Sequence, residues 1–181
     1  MQIETERLLL RPFAEADAAD LYKYAKDPEV GPAAGWPPHG SVEESRNIIR
    51  LVLSGPESYA VCKKEDGRVI GAIALSLNGD SRLAEEEDEC ELGYWIGKPF
   101  WGQGLMTEAS EALLRRAFTE LGMRRVWCGY FEGNEKSKRV QEKLGFCHEK
   151  ILRDVDVPLL KEVRIEHVSL LSREAWRQKN M

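Results

Sequence analysis

No run of apolar residues in this chain is long enough to cross a membrane. Nor is there a secretory signal. Met1 to Phe13 carries Glu4, Glu6, Arg7 and Arg11 among its apolar residues, so a cytoplasmic protein without membrane attachment is expected. Metal ligands are too few and too scattered. The histidines are His39, His148 and His167, and the cysteines are Cys62, Cys90, Cys128 and Cys147. They form no Cys-x-x-Cys pair and no metal-ligand spacing. Cys62, Cys90 and Cys128 sit in strand-like runs, as small buried residues of a reducing compartment do. Positive charge is in deficit: 26 Lys and Arg against 31 Asp and Glu leave a net charge of -5. That argues against general nucleic-acid binding, but not against an anion held at one helix end. No repeat or linker divides the 181 residues. One domain over 1–181, with a core of about 7–176, is expected, and it is long enough for a sizeable core.

The stretch that is present and distinctive is Glu91 to Ala109, ELGYWIGKPFWGQGLMTEA. Cys90-Glu91-Leu92-Gly93-Tyr94-Trp95-Ile96 reads as a strand. Lys98-Pro99 stops it, Trp101-Gly102-Gln103-Gly104 is a tight turn, and Leu105 opens a helix. A strand, a glycine turn and a helix start in that order make an anion site. First-turn N–H groups lack intrahelical partners, the helix dipole adds positive charge, and glycines admit a phosphate to the backbone.

Around this stretch the chain reads as a mixed α/β domain. Thr5 to Phe13 is a first strand and Asp17 to Lys26 a helix. Val30 to Gly40 is a loop by its prolines and glycines, and holds Trp36 and His39. Ser41 with Glu44 forms a capping box for a helix running towards Gly55. Ser58–Lys63 and Val69–Leu77 form a hairpin about Asp66-Gly67. Asn78 to Glu89 is a polar connection ending in a solvated acidic run, alternatively an electrostatic lure for a cationic substrate. Thr107 to Leu121 is helical, with Ser110, Leu113, Ala117 and Leu121 on one face. Arg125–Phe131 is a strand and Glu135–Leu144 a short helix ended by Gly145. Phe146–Lys150 and Val163–Leu171 are the last strands, joined through Val155–Lys161, and a terminal helical turn starts at Ser172. This order is not the repeated βαβ of a doubly wound sheet.

The glycine turn lacks the Gly-x-x-x-x-Gly-Lys of a P-loop. It also has Thr107 where a dinucleotide fingerprint requires a third glycine. A pyrophosphate held by backbone amides remains. Four segments then carry a resemblance: Thr5-Glu6-Arg7-Leu8-Leu9-Leu10-Arg11-Pro12; Leu92 to Ile96 with Trp101 to Ala109; Asn134-x-x-Ser137 with Glu142 to Phe146; and Ser169 to Trp176. In that order they resemble the GNAT N-acetyltransferases, and within them the RimJ/RimL-type group.

The resemblance implies the GNAT acyl-CoA N-acyltransferase fold: a central mixed, mostly antiparallel sheet, splayed in the middle and flanked by helices. It implies acetyl-coenzyme A as co-substrate, no metal, and an amine acceptor, either a small molecule or a protein N-terminus, on a monomer or homodimer. Strand Glu91–Ile96 would carry a bulge and then part from Val126–Phe131. Pantetheine would lie along Trp95, Ile96 and Gly97, near Asn134, with pyrophosphate on the amides of Gly102, Gln103, Gly104, Leu105, Met106 and Thr107. An amine attacking a thioester needs a base, an oxyanion donor and an acid. Glu91 is the candidate base, with Glu89 the alternative. A backbone N–H near Trp95 or Ile96 is the oxyanion donor. Many family members carry a tyrosine acid where this chain has Gln141, so Ser137 is the candidate acid and Tyr130 the alternative. Lys136, Lys138 and Arg139 form a basic cluster for the coenzyme's 3′-phosphate. Trp36 and His39 would meet the acceptor, with His39 as base set aside as an exposed loop histidine. A non-catalytic acyl-CoA-binding module is the competing reading.

Overall fold

A computed structural model describes residues 1–77 and 79–180; Asn78, the first residue of the expected polar connection, lies outside them. The strands are Ile3–Glu4 (β1), Leu8–Arg11 (β2), Ser58–Lys63 (β3), Val69–Leu77 (β4), Glu89–Ile96 (β5), Arg125–Phe131 (β6), Cys147–Val157 (β7) and Glu162–Ser172 (β8). The helices are Ala18–Ala25 (α1), Gly31–Ala34 (α2), Val42–Leu51 (α3), Leu105–Thr119 (α4), Glu135–Leu144 (α5) and Arg173–Lys179 (α6). All eight strands form one sheet in the order β1-β2-β3-β4-β5-β6-β8-β7. Every pairing is antiparallel except β5 with β6. This is the expected mixed, mostly antiparallel sheet.

Helices cover both faces. Leu105, Met106, Ala109, Leu113, Leu114, Ala117 and Phe118 of α4 pack on Ile73, Leu75, Leu92, Val126 and Cys128 of the sheet. Their spacing is the apolar stripe that the sequence shows. On the opposite face Ala18 and Leu21 of α1 meet Ile49 of α3, with Phe13, Leu53 and Trp95 beside them. Gln141 and Leu144 bury the inner side of α5.

Four elements depart from expectation for local reasons. The first strand is two, because Thr5–Arg7 turns back on itself: the Thr5 amide donates to the Leu8 carbonyl at 2.9 Å. The Val30–Gly40 loop contains α2, which has Pro32 in its first turn and left-handed Gly35 as its cap. Ser41 caps α3 by accepting from the Glu44 amide at 3.0 Å, but Glu44 reaches past it to the Gly40 amide at 2.6 Å. The reciprocal half of the capping box is therefore displaced by one residue. Finally, β7 and β8 run eleven residues each, so Val155 and Val157 belong to a strand and the connection shrinks to 158–161. Asp154 and Lys161 take positive φ along this hairpin, and turn positions of that kind are not marked by glycine here.

Glu85, Glu86 and Glu87 are exposed, as a solvated run would be, but the end of the run is structural. Glu89 is buried and accepts from the Trp127 indole at 2.8 Å and from Arg125 at 3.1 Å. Asp88 pairs with Arg124 at 2.8 Å. These contacts fasten the start of β5 to the start of β6, so this end of the run is neither a solvated loop nor a lure. A second buried ion pair ties α4 to the sheet: Arg116 reaches both oxygens of Glu57, at 2.6 and 2.7 Å, and the Tyr59 hydroxyl donates to Glu57 at 2.9 Å. Burial alone raises the Glu57 carboxyl, but the hydrogen bonds from Arg116 and Tyr59 outweigh it and hold it below its ordinary value.

A carboxyl depressed by folding contributes stability above its unfolded pKa, and that contribution is lost as pH falls through the folded value. Glu57→Ala strands the buried Arg116 and is expected to cost about 3 kcal/mol at neutral pH, read from the denaturant midpoint at unchanged slope. It should also flatten the acid side of the stability curve below about pH 4.3. A loss under about 1 kcal/mol would show the pair to behave like a surface bridge.

Candidate active site

The ladder between β5 and β6 holds for three residues only: Glu89 with Arg125, Cys90 with Val126, Glu91 with Trp127. Beyond Glu91 the strands part. On its other side β5 stays paired with β4 from Cys90 to Ile96 without a register shift. The expected bulge is therefore not in that ladder, and the parting begins where the Glu89 anchor ends. The Gly97 amide donates to the Ile70 carbonyl at 2.8 Å. Hydrogen-bonded pairs alternate along an antiparallel ladder, so Glu91, Gly93 and Trp95 also bond to β4. The backbone groups of Leu92, Tyr94 and Ile96 point the other way. The Leu92 amide closes the last rung to Trp127 and the Ile96 carbonyl accepts from the Trp101 indole at 2.9 Å, which leaves the Leu92 carbonyl, both groups of Tyr94 and the Ile96 amide facing the gap. Thus the Trp95 amide is spent on the sheet and Tyr94 and Ile96 present theirs. Gly97 is spent too, and it packs tightly on Tyr24, where a Cβ would lie 2.7 Å from the ring.

The gap opens into a cleft of about 690 Å³. One wall is Leu92 to Ile96 of β5. The other is Gly129, Tyr130 and Phe131 of β6, with Asn134, Lys136, Ser137, Arg139, Val140 and Lys143 along α5. Gly102, Gly104, Leu105, Met106 and Thr107 close one end, and Val155, Val157 and Glu166 line the other side with α2. α2 is tied to the far wall, since the Asn134 side chain donates to the Ala33 carbonyl at 3.2 Å and Arg164 donates to the Pro32 carbonyl at 2.5 Å.

The turn end fits a pyrophosphate. Gly102 and Gly104 both hold left-handed φ, +74° and +75°, and nothing lies within 4 Å of where a Cβ on Gly102 would sit. Gly104 caps α4 without any side-chain hydrogen bond. Among the described residues the amides of Leu105, Met106 and Thr107 meet no side chain and no carbonyl from outside the helix. The turn is braced from behind. Glu108 accepts from Thr5 Oγ1 at 2.5 Å, from the Arg7 amide at 2.8 Å and from Arg7 Nε at 2.7 Å, while Arg7 Nη1 donates to the Gln103 carbonyl at 3.1 Å. Gln103 turns away to the Pro99 carbonyl, at 2.8 Å. The basic side chains on this part of the wall are Lys136, Arg139 and Lys143; Lys138 faces Glu135 instead.

The two sides of the sheet carry different chemistry. On the α5 side Ser137 Oγ lies 3.0 Å from the Tyr94 hydroxyl and 3.4 Å from Gln141 Nε2. The Ser137 amide donates to Asn134 Oδ1 at 3.2 Å, so Asn134 is the helix cap, and both ends of its side chain are engaged. Tyr130 stacks on His167, with centroids 5.0 Å apart. On the opposite side stand two carboxylates. Glu91 Oε2 accepts from Ser81 Oγ at 3.0 Å and from the Arg82 amide at 3.2 Å. Glu166, from β8, is buried and receives Arg82 on both oxygens, at 2.5 and 2.6 Å. Its carboxylate lies in the space that a side chain on Gly129 would fill. Glu166 and Arg82 escape sequence reasoning because they come from a late strand and a polar loop. The only local trace is Gly129 interrupting an otherwise bulky strand.

Glu89 does not line the cleft; it lies in the Arg125 and Trp127 contacts. Trp36 and His39 do not line the cleft. Trp36 packs edge-on against Trp95 at 5.4 Å and beside His39 at 5.2 Å, buttressing the wall from behind. His39 is buried rather than exposed; its Nδ1 lies 2.8 Å from Ser45 Oγ, and burial lowers its pKa.

Residues 7–147 match the profile of the acetyltransferase (GNAT) domain. The chain belongs to the GNAT acetyltransferase family. It is similar to the uncharacterized N-acetyltransferase p20 of Bacillus licheniformis, 30% identical over 94% of this chain and 96% of that one. The ribosomal N-acetyltransferase assigned by name to YdaF of Bacillus subtilis is 40% identical over a shorter stretch, 49% of this chain and 46% of its own. In fold it matches a GNAT-family acetyltransferase from Bacillus anthracis with a TM-score of 0.83, at 24% identity over 96% of this chain and 99% of that one. This GNAT protein is thus an N-acetyltransferase of a family that takes acetyl-coenzyme A as donor.

Gly104→Val puts a β-branched side chain at φ +75° and crowds the open amides. It is expected to weaken coenzyme A binding at least about tenfold, the loss of one or more charge-assisted hydrogen bonds. Calorimetry measures this directly. Affinity within twofold of the parent protein would contradict the anion site.

Proposed function

We propose that this GNAT enzyme acetylates a primary amine, at a protein or peptide N-terminus or on a small molecule, by direct attack in a ternary complex. The observation that carries the proposal is the parting of β5 from β6 between an α5 side bearing Ser137 and an opposite side bearing Glu91 and Glu166. The kinship with RimJ/RimL-type enzymes, and with a relative named for ribosomal acetylation, supports a protein N-terminus among the acceptors.

Acetyl-coenzyme A supplies the acetyl group in thioester form. The free amides of the α4 first turn and the basic side chains of α5 would hold its phosphates, and the inward edge of β5 its pantetheine. An ammonium entering from the carboxylate side meets Glu91 and Glu166. Both oxygens of Glu166 are occupied by Arg82, at 2.6 and 2.5 Å. Glu91 Oε1 has no partner among the described residues, so Glu91 takes the amine's proton. The Tyr94 or Ile96 amide faces the developing oxyanion, and Ser137 protonates the departing sulfur. Tyr130 is less suited to that step: its ring is stacked flat on His167.

The test follows thiol release from acetyl-coenzyme A with a panel of N-terminal peptides and small amines. Turnover with at least one acceptor is expected, and Glu91→Gln should lower kcat/KM about a hundredfold, the usual worth of a general base. Tight coenzyme A binding without turnover on any acceptor would favour a non-catalytic module. A Glu91→Gln enzyme of unchanged kcat/KM would move the base to another group.

A further inference from the structure

Ser137 is not isolated at the cleft wall. The Tyr94 hydroxyl lies 3.0 Å from its Oγ, and Gln141 Nε2 lies 3.4 Å from the same oxygen while also donating to the Gly129 carbonyl at 3.3 Å. A serine hydroxyl has one proton and two acceptor lone pairs. If both neighbours donate, both lone pairs are filled and the serine proton has one direction left, the cleft. We propose that Tyr94 is a positioning residue which, together with Gln141, fixes the Ser137 hydroxyl as a donor towards the departing sulfur; this rests on reading Ser137 as the acid.

Three observations support the assignment of donors. Tyr94 is deep in the wall, and burial pushes its phenol well above the ordinary value, so it stays protonated and able to donate. The competing acceptors are weaker: the Ser137 carbonyl is farther away, at 3.3 Å, and already placed to accept within helix α5, and the Cys128 sulfur beside Tyr94 is a poor acceptor. Gln141 is buried, and its Oε1 has no partner, so its amide group is oriented by what Nε2 donates to, namely Gly129 and Ser137. The residue that stands where many relatives have a tyrosine is then not an empty substitution. It supplies the second donor, while a phenol reaches the same serine from β5.

The proton count closes. The ammonium gives up two protons on becoming an amide, one to the base before attack and one from the tetrahedral adduct to solvent. Ser137 gives one to sulfur as the carbon–sulfur bond breaks with its electron pair on sulfur, and solvent returns one to Ser137. Tyr94 keeps its proton throughout, and its hydrogen bond strengthens as charge grows on Ser137 Oγ.

The test is a double-mutant cycle of Tyr94→Phe and Ser137→Ala, with KM and coenzyme A affinity measured alongside kcat. Tyr94→Phe should lower kcat roughly tenfold, the scale of one hydrogen bond, and leave both KM values and coenzyme A affinity within twofold. Ser137→Ala should lower kcat about a hundredfold, and the double variant should be no slower than Ser137→Ala alone. In the unliganded protein the tyrosine 13Cζ resonance of Tyr94 should move in Ser137→Ala, whatever the activity. An unmoved resonance, or a Tyr94→Phe effect equally large in the Ser137→Ala background, overturns the proposal while leaving Ser137 as acid. Ser137→Ala with unchanged kcat overturns both.

Discussion

The feature on which the rest depends is the loss of pairing between β5 and β6 after Glu91. A parallel pair in the middle of a sheet normally keeps both strands fully bonded. Here Glu89, buried between Trp127 and Arg125, pins the two strands for three residues, and beyond that point the ladder between them has no further rung among the described residues. The Leu92 carbonyl, both backbone groups of Tyr94 and the Ile96 amide would be costly if they were sealed away from any partner. They face a cleft instead, where a ligand or water can satisfy them. The donor site we propose is therefore made largely of main chain, which explains why few side chains announce it.

What surrounds the gap keeps it open and gives it two sides. Thr5 and Arg7 grip Glu108 and so hold the glycine turn at one end. α2 ties across through Asn134 and Arg164. Helix α5 delivers Ser137 on one side of the sheet, and Arg82 gathers with Glu91 and Glu166 on the other. The acid and base we propose would thus sit on opposite sides of one backbone seam, which suits a reaction in which a proton is removed from the acceptor and another is given to the leaving group. The loop carrying Ser81 and Arg82 touches both carboxylates, so this side of the cleft is shaped by a connection that ordinarily would be read as solvated surface.

Much of this architecture is legible in the sequence. The Ser58–Lys63, Val69–Leu77 and Arg125–Phe131 strands and the Glu135–Leu144 helix have the expected bounds, because alternation, a turn dipeptide and a glycine cap act locally. The glycine turn before Leu105 is legible for the same reason. What is not legible depends on contacts across the fold. Glu89 and Glu91 look alike in sequence, yet one is buried in an ion pair and the other faces the cleft. Glu166 and Tyr94 gain their places only when β8 and α5 come alongside β6 and β5. His39 and Trp36 sit in a loop rich in proline and glycine, and their burial against Ser45 and Trp95 follows from α2, a single turn of helix that composition alone did not reveal.

Amide hydrogen exchange tests the central claim most directly, because it reads the main chain residue by residue. Coenzyme A should slow exchange at Tyr94 and Ile96 and at Leu105, Met106 and Thr107, while Gly93 and Trp95, bonded to β4, change little. Protection that spares Tyr94 and Ile96, or that falls equally on Gly93 and Trp95, would contradict a donor site built from the unpaired edge of β5.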